Sequence, residues 1–340
     1  MQRDIIFRLA LLATFLALFV VVLGAFVRLS DAGLGCPDWP GCYGHVDVPK
    51  SIEEVERANA VYPDRPVEAH KAWKEMIHRY FAGTLGLLIF SLAWLSFRNR
   101  HRPGQQFKIP LLLVVVVIFQ ALLGMWTVTI KLNPTIVMSH LLGGLTTMSL
   151  LWWVTLRQGH LFEVGYDKEV LKKLKVPALI GLLLVIFQIM LGGWTSANYA
   201  ALHCSNTILT CQGHVIPPLD FKEAFTLWRG TELNFEGGVL DNTARVTIHF
   251  MHRIMAIITF IYLFWLSLTI LLQQKYKSLK PVAVALLVIV LAQVTLGISN
   301  VVFMLPLPVA VAHNAGAAIL LLSMVTLNSV VRPGEENGDS

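Results

Sequence analysis

Four histidines of this chain lie inside long apolar segments, where an imidazole has no water to bond. A polar side chain in that setting is costly unless another group pairs with it, so such residues mark candidate functional sites. Histidine there typically relays protons, packs through hydrogen bonds or ligates a metal. The four residues are His78, His140, His252 and His313.

The histidines fall into two pairs because the chain repeats itself. The sequence His78-Arg79 near the start of one apolar segment recurs as His252-Arg253 in the second half. The other two histidines each lie the same distance after a glutamine, Gln120 in the first half and Gln293 in the second. Matched offsets over this length indicate an internal duplication.

All four histidines lie at a similar depth from the same ends of their segments. Two facing histidines at one depth suit a haem, whose iron takes axial nitrogens from opposite faces of a flat macrocycle. We therefore predict one haem between His78 and His140 and another between His252 and His313. The alternatives are histidines that only hydrogen-bond within a bundle, a zinc site without nearby thiolates, and a proton relay without further carboxylates.

One carboxylate distinguishes the two halves. Glu75 lies one helical turn before His78 and shares its face, whereas His249 takes that position in the second half. This asymmetry indicates that one haem is chemically altered while the other acts as a cofactor, with Glu75 as the candidate catalytic residue. The alternative is that Glu75 is a buried partner of Arg79. His249 also adds a third histidine near the second pair and so a rival ligand.

The two arginines that follow histidines are candidate partners for haem propionates, through charge-assisted hydrogen bonds. The alternative is that helix carbonyls or other side chains satisfy Arg79 and Arg253. The cysteines form two close pairs, and loop disulfides are the first expectation. Thiol-disulfide pairs that pass electrons to a haem are the second, and spacing leaves both open. The pairs are Cys36-Cys42 and Cys204-Cys211.

Eight apolar segments position these residues. The chain has 340 residues, of which 55% are hydrophobic and 14% charged, and a mean hydropathy of +0.64, too apolar for an ordinary soluble domain. Segments of roughly 20 apolar residues span a bilayer. The first is interpreted as a retained span, since it lacks a clear cleavage site. The segments cover 5–28, 73–97, 108–130, 134–156, 176–197, 244–272, 281–303 and 307–331.

The predicted fold is an all-α membrane protein of eight transmembrane helices in two four-helix bundles. The tandem repeat predicts a pseudo-twofold axis along the membrane normal. The N-terminal unit covers 1–160 with an outer loop at 30–72, and the C-terminal unit covers 161–340 with an outer loop at 198–243. Capping patterns predict a short helix in each loop, one from Ser51 and one from Asp220 to Gly230, the latter on the membrane surface or over a site as a lid.

The formal net charge is +6, and the distribution of the basic residues predicts the orientation of the chain in the membrane. Lysine and arginine concentrate in the second, fourth and sixth loops, which are cytoplasmic by the positive-inside rule. Both termini are then cytoplasmic, and the cysteine loops lie outside an inner (plasma) membrane. No aromatic-basic pattern for nucleic acid accompanies this charge.

These motifs resemble the haem A synthase family of bacterial membranes and mitochondria, the CtaA type. The match extends over essentially all eight segments. It implies oxidation of a methyl group of haem O to the formyl group of haem A, in two steps through a hydroxylated intermediate, for terminal oxidases. The matching residues are Gly24-Ala25-Phe26-Val27-Arg28, Gly33-Leu34-Gly35-Cys36-Pro37, Trp39-Pro40-Gly41-Cys42, Glu75-x-x-His78-Arg79, His140, His252-Arg253 and Ala312-His313.

The resemblance also implies ligands and partners. Haem b would be the cofactor, held by His252 and His313, while His78 and His140 would hold haem O beside Glu75. Expected partners are haem O and membrane lipid, with a haem O synthase, cytochrome oxidase assembly proteins and further copies of the chain as candidates. Two alternatives predict unaltered haem: a dihaem cytochrome b that only carries electrons, and a haem transporter or chaperone.

Overall fold

The computed structural model describes residues 2–102, 104–159, 161, 168–204, 207 and 210–332. Within these ranges the secondary structure is helical, apart from two isolated backbone bridges in the outer loops. The long helices are α1 (Gln2–Leu29), α3 (Ala69–Arg98), α4 (Lys108–Thr129), α5 (Pro134–Gln158), α7 (Lys175–Ala197), α9 (Asn242–Leu272), α10 (Lys280–Val302) and α11 (Leu307–Val330). The short ones are α2 (Ile52–Val61), α6 (Lys168–Lys172), α8 (Phe221–Ala224) and a 3-10 helix (Gln274–Leu279).

The eight long helices confirm the predicted spans. Each is long and apolar enough to cross a membrane, and much of its apolar surface faces outward rather than into the protein. The chain is therefore a multi-pass membrane protein. Side-chain caps fix the starts of α5 and α9: Asn133 accepts from the Thr135 N–H at 3.1 Å, and Asp241 accepts from the Ala244 N–H at 2.7 Å.

Helix contacts fit two groups of four. In the N-terminal group α1 and α4 each pack against both α3 and α5, so α3 and α5 lie across the group from one another. In the C-terminal group α7 and α10 likewise flank α9 and α11. The histidine-bearing helices thus take diagonal positions, which is the arrangement that facing ligands need.

The two groups meet along α1, α5, α7 and α11. Polar contacts tie this junction at both ends. On one side Trp152 Nε1 donates to Thr326 Oγ1 at 2.8 Å. On the other, Arg28 donates to the Ser196 carbonyl at 2.8 Å and lies 4.1 Å from the Tyr199 ring centroid.

The first outer-loop helix forms as predicted. Ser51 Oγ accepts from the Glu54 N–H at 3.2 Å, and the Glu54 carboxylate accepts in return from the Ser51 N–H at 3.0 Å. These bonds from the Ser51 and Lys50 N–H groups lower the pKa of Glu54.

The second outer-loop helix is a correction. Asp220 caps α8 as predicted, but the helix ends at Ala224 instead of continuing to Gly230. Side chains take the carbonyls that further turns would use: Arg229 donates to Glu223 and Trp194 to Ala224. Phe221, Phe225 and Trp228, which a helix continuing to Gly230 would place on one face, therefore do not form a helical face.

Candidate functional site

Each of the four histidines packs against a glycine on the preceding long helix. A Cβ on that glycine would lie close to the ring, so a larger residue would displace the imidazole. The sequence motifs alone did not indicate that these glycines contact the histidines. The pairs, with the distance from such a Cβ to the ring Cε1, are Gly24–His78 (3.0 Å), Gly124–His140 (3.4 Å), Gly192–His252 (3.1 Å) and Gly297–His313 (3.1 Å).

Glutamines hold two of the rings and their helices. Gln188 Nε2 lies 3.0 Å from His252 Nδ1 and donates to the His252 carbonyl at 3.2 Å. Gln293 Nε2 donates to the His313 carbonyl at 3.0 Å. Both bonds join neighbouring helices, a contact that is typical of glutamines within transmembrane bundles.

Several polar atoms of this core have no partner within the described chain. The Nδ1 atoms of His78, His140 and His313 are buried and make no hydrogen bond. A buried polar atom without a partner costs about 1–3 kcal/mol, so these rings keep binding capacity that the protein does not use. Together with the diagonal helices, this capacity fits haem ligation.

Glu75 lies at the outer end of this core and is 5% exposed. One carboxylate oxygen accepts from the Cys36 N–H at 3.0 Å, and the other accepts from Arg79 at 2.5 Å. Arg79 also donates to carbonyls of the first outer loop, those of Asp38 and Pro40 at 3.0 and 3.2 Å and that of Gly41. Glu75 and Arg79 therefore fasten the cysteine loop to α3.

His249 takes the place of Glu75 in the C-terminal group. Its Nδ1 lies 3.2 Å from the Cys204 backbone nitrogen, and its Nε2 lies 3.2 Å from Arg253 Nε. A neutral imidazole can accept from only one of these donors. Arg253 donates to the loop carbonyls of Thr207 and Thr210 at 2.8 and 3.3 Å. His249 thus belongs to the attachment of the second cysteine loop.

Both predicted disulfides form. They join Cys36 to Cys42 and Cys204 to Cys211. Each second cysteine pairs with a histidine three residues later through backbone hydrogen bonds, Cys42 with His45 and Cys211 with His214. Both loops thus share this cysteine–histidine bridge, although the bonded cysteines are six residues apart in the first loop and seven in the second.

The first loop has an additional anchor in Asp38. Its two carboxylate oxygens accept from the Tyr43 and Gly44 N–H groups at 2.7 and 2.6 Å. The Tyr43 hydroxyl donates to the Pro66 carbonyl at 3.2 Å, and burial raises the pKa of Tyr43. Tyr43 therefore stays neutral and remains a donor around neutral pH.

A cavity of about 950 Å³ joins the N-terminal site residues. Glu75, His78, Arg79 and His140 all line it, and Arg28 lines it where the two groups meet. The four N-terminal site residues predicted from sequence thus face one space. That space is large enough for a sizeable apolar ligand.

Comparison with known proteins agrees with this site. A family model described as "Cytochrome oxidase assembly protein" (COX15-CtaA) matches residues 7–325. A protein named "Heme A synthase" from Shewanella oneidensis is 48% identical over 328 residues, covering 96% of each chain. Another of that name from Allorhizobium ampelinum is 30% identical over 92% of this chain and 87% of its own. The chain therefore belongs to the COX15-CtaA family of cytochrome oxidase assembly proteins.

Proposed function

We propose that this chain is a haem A synthase, a membrane oxidoreductase that converts haem O to haem A. The reaction oxidises a ring methyl group to a hydroxymethyl group and then to a formyl group. The observation that carries the proposal is the cavity lined by His78, His140 and Glu75. A carboxylate beside two histidines with unpartnered Nδ1 atoms suits a substrate haem whose edge is to be altered.

The N-terminal group, within residues 1–160, is the substrate unit in this proposal. His78 and His140 hold haem O, and their contacts with glycines on α1 and α4 fix the positions of the rings. Glu75 orients the reacting edge or accepts a proton there. Its bonds to Cys36 and Arg79 keep the carboxylate in one position at the cavity wall.

The C-terminal group, within residues 161–340, is the cofactor unit. His252 and His313 would hold haem b, and Gln188 and Gln293 support their helices. Haem b supplies one-electron redox chemistry when bound. The substitution of His249 for Glu75 leaves this unit without the carboxylate, which fits a haem that is not itself altered.

Arg79 and Arg253 are the proposed partners of haem propionates. Each lies in the first half of its helix, one residue after a proposed ligand and within reach of a cysteine loop. Their described bonds already hold the outer loops. A propionate on either arginine would therefore connect haem binding to the conformation of a disulfide loop.

The proposed setting is a bacterial inner membrane with both termini in the cytoplasm. The loops rich in lysine and arginine then lie inside, as the positive-inside rule requires. The two disulfide loops lie outside, in a compartment that preserves such bonds. A haem O synthase, oxidase assembly proteins and further copies of this chain are candidate partners.

The test is expression beside a haem O synthase in a host that makes no haem A, followed by haem extraction and mass analysis. The proposal predicts haem A or its hydroxylated intermediate together with haem b. Haem b alone at two per chain would contradict it and favour a dihaem electron carrier. Unaltered, freely exchanging haem would favour a transporter.

A further inference from the structure

The wall of the N-terminal cavity is open between α3 and α4. Gly83 and Gly86 on α3 line the cavity, and a Cβ on either glycine would meet no atom within 4 Å. Ala121 on α4 lines the cavity as well. Gly83 and Ala121 are also solvent-accessible. The small residues therefore leave a passage from the cavity to the apolar surroundings of the protein.

Apolar side chains frame this opening. Phe90 and Ile118 line the cavity and are 47% and 51% exposed. We call the opening bounded by Gly83, Gly86, Phe90, Ile118 and Ala121 the α3–α4 gap. Its boundary carries no charged side chain, so it suits a hydrocarbon occupant.

In the second half of the chain, larger residues occupy the positions equivalent to Gly83, Gly86 and Ala121. When His78 is aligned with His252, Gly83 and Gly86 correspond to Ile257 and Phe260. When Gln120 is aligned with Gln293, Ala121 corresponds to Val294. Phe260 packs against the apolar core of the protein.

The duplication therefore kept the histidines in both halves but left small residues at the opening only beside Glu75. Glycine in a helix interior costs stability relative to larger residues. A role for the open space itself would offset that cost.

We propose that the α3–α4 gap holds the long isoprenoid side chain of haem O. This inference rests on the proposed function. Haem O differs from haem b in carrying this hydrocarbon chain in place of a vinyl group, so its site must accommodate a long apolar chain as well as the macrocycle. The gap lets the ring lie between His78 and His140 while the chain extends toward lipid. It would also let the substrate enter from the membrane.

The gap then determines which haem each half binds. The N-terminal group accepts the ring with its side chain. Ile257, Phe260 and Val294 close the equivalent route in the C-terminal group, which accepts only the shorter substituents of haem b. Two sites with the same histidines are thereby kept distinct through shape.

The experiment fills the gap with the residues of the second half. The full-length Gly83→Ile and Gly86→Phe variants, single and combined, are titrated with haem O and with haem B, which has the same ring without the long chain. The C-terminal haem is kept loaded. We expect haem O affinity at the N-terminal site to fall about tenfold or more. Haem B affinity at that site should change little.

Thr84→Ile is the matched control, because Thr84 is exposed on the same helix and does not line the cavity. It should leave the affinities for both haems unchanged. Unchanged haem O affinity in the glycine variants would overturn the proposal, as would equal losses for haem O and haem B. Failure of the wild type to make haem A would instead refute the proposed function, since binding and conversion are measured separately.

Discussion

At the residue scale, the informative comparison is between Glu75 and His249. Each lies one turn before a histidine-arginine pair, and each faces the backbone N–H of the first cysteine in its loop. The duplicated structural role explains why both positions are polar. It does not explain why only one is a carboxylate, and that difference is the chemical asymmetry of the molecule.

Replacement of Glu75 by glutamine tests its part in the reaction. The amide keeps an acceptor for the Cys36 N–H but cannot take up a proton. We expect both haems to stay bound while haem A formation slows by about 10²- to 10⁴-fold, measured by extracting haems over time. Exposed Glu53→Gln is the control. A normal rate in Glu75→Gln would show that the carboxylate serves only to hold Arg79.

The histidine–glycine contacts give a second test. Gly192 lies against His252 and Gly24 against His78, so valine at either position should displace one ring. We expect Gly192→Val to weaken haem b binding and Gly24→Val to weaken haem O binding, each by about tenfold or more. The haem-to-protein ratio of each purified variant measures this. The two variants are controls for each other, and loss of the same haem in both would be inconsistent with separate sites.

At the scale of elements, the sequence predicted those features of the helices that depend on local interactions. The eight spans follow from apolar length, and the α2 start follows from Ser51 and Glu54. The length of α8 could not be predicted, because Trp194 and Arg229 compete for its carbonyls and their positions depend on the tertiary fold. The α3–α4 gap could not be predicted for a related reason. Gly83 and Gly86 border an opening only because α3 lies beside α4 in the tertiary fold.

The α2 helix should respond to pH. Backbone N–H groups of Ser51 and Lys50 lower the pKa of Glu54, so its contribution to helix stability is complete above the unfolded pKa. That contribution is lost as the pH falls through the lower, folded pKa. We expect the backbone amides of α2 to be less protected from hydrogen exchange at acidic pH than at neutral pH. In the Ser51→Ala variant, α2 should be less protected than in the wild type at all pH values. If α2 in Glu54→Gln showed the same pH dependence as in the wild type, Glu54 would not be its cause.

At the scale of the whole molecule, the fold places two similar groups of helices side by side, and the proposed function gives them different roles. The histidines, glycines, glutamines and disulfide loops recur in both. The carboxylate and the α3–α4 gap belong to the N-terminal group alone, and Arg28 of that group reaches across to Ser196, its own counterpart in the repeat. In the proposed function, duplication supplied the binding frame, and a few substitutions distinguish the two roles.

The most direct test of this division is the haem content of two purified variants, His140→Ala and His313→Ala, expressed beside a haem O synthase. We predict that His140→Ala keeps haem b and contains neither haem O nor haem A. His313→Ala should lose haem b and retain haem O unconverted. If His140→Ala still made haem A, or if both variants lost the same haem, the assignment of substrate and cofactor to separate halves would be wrong.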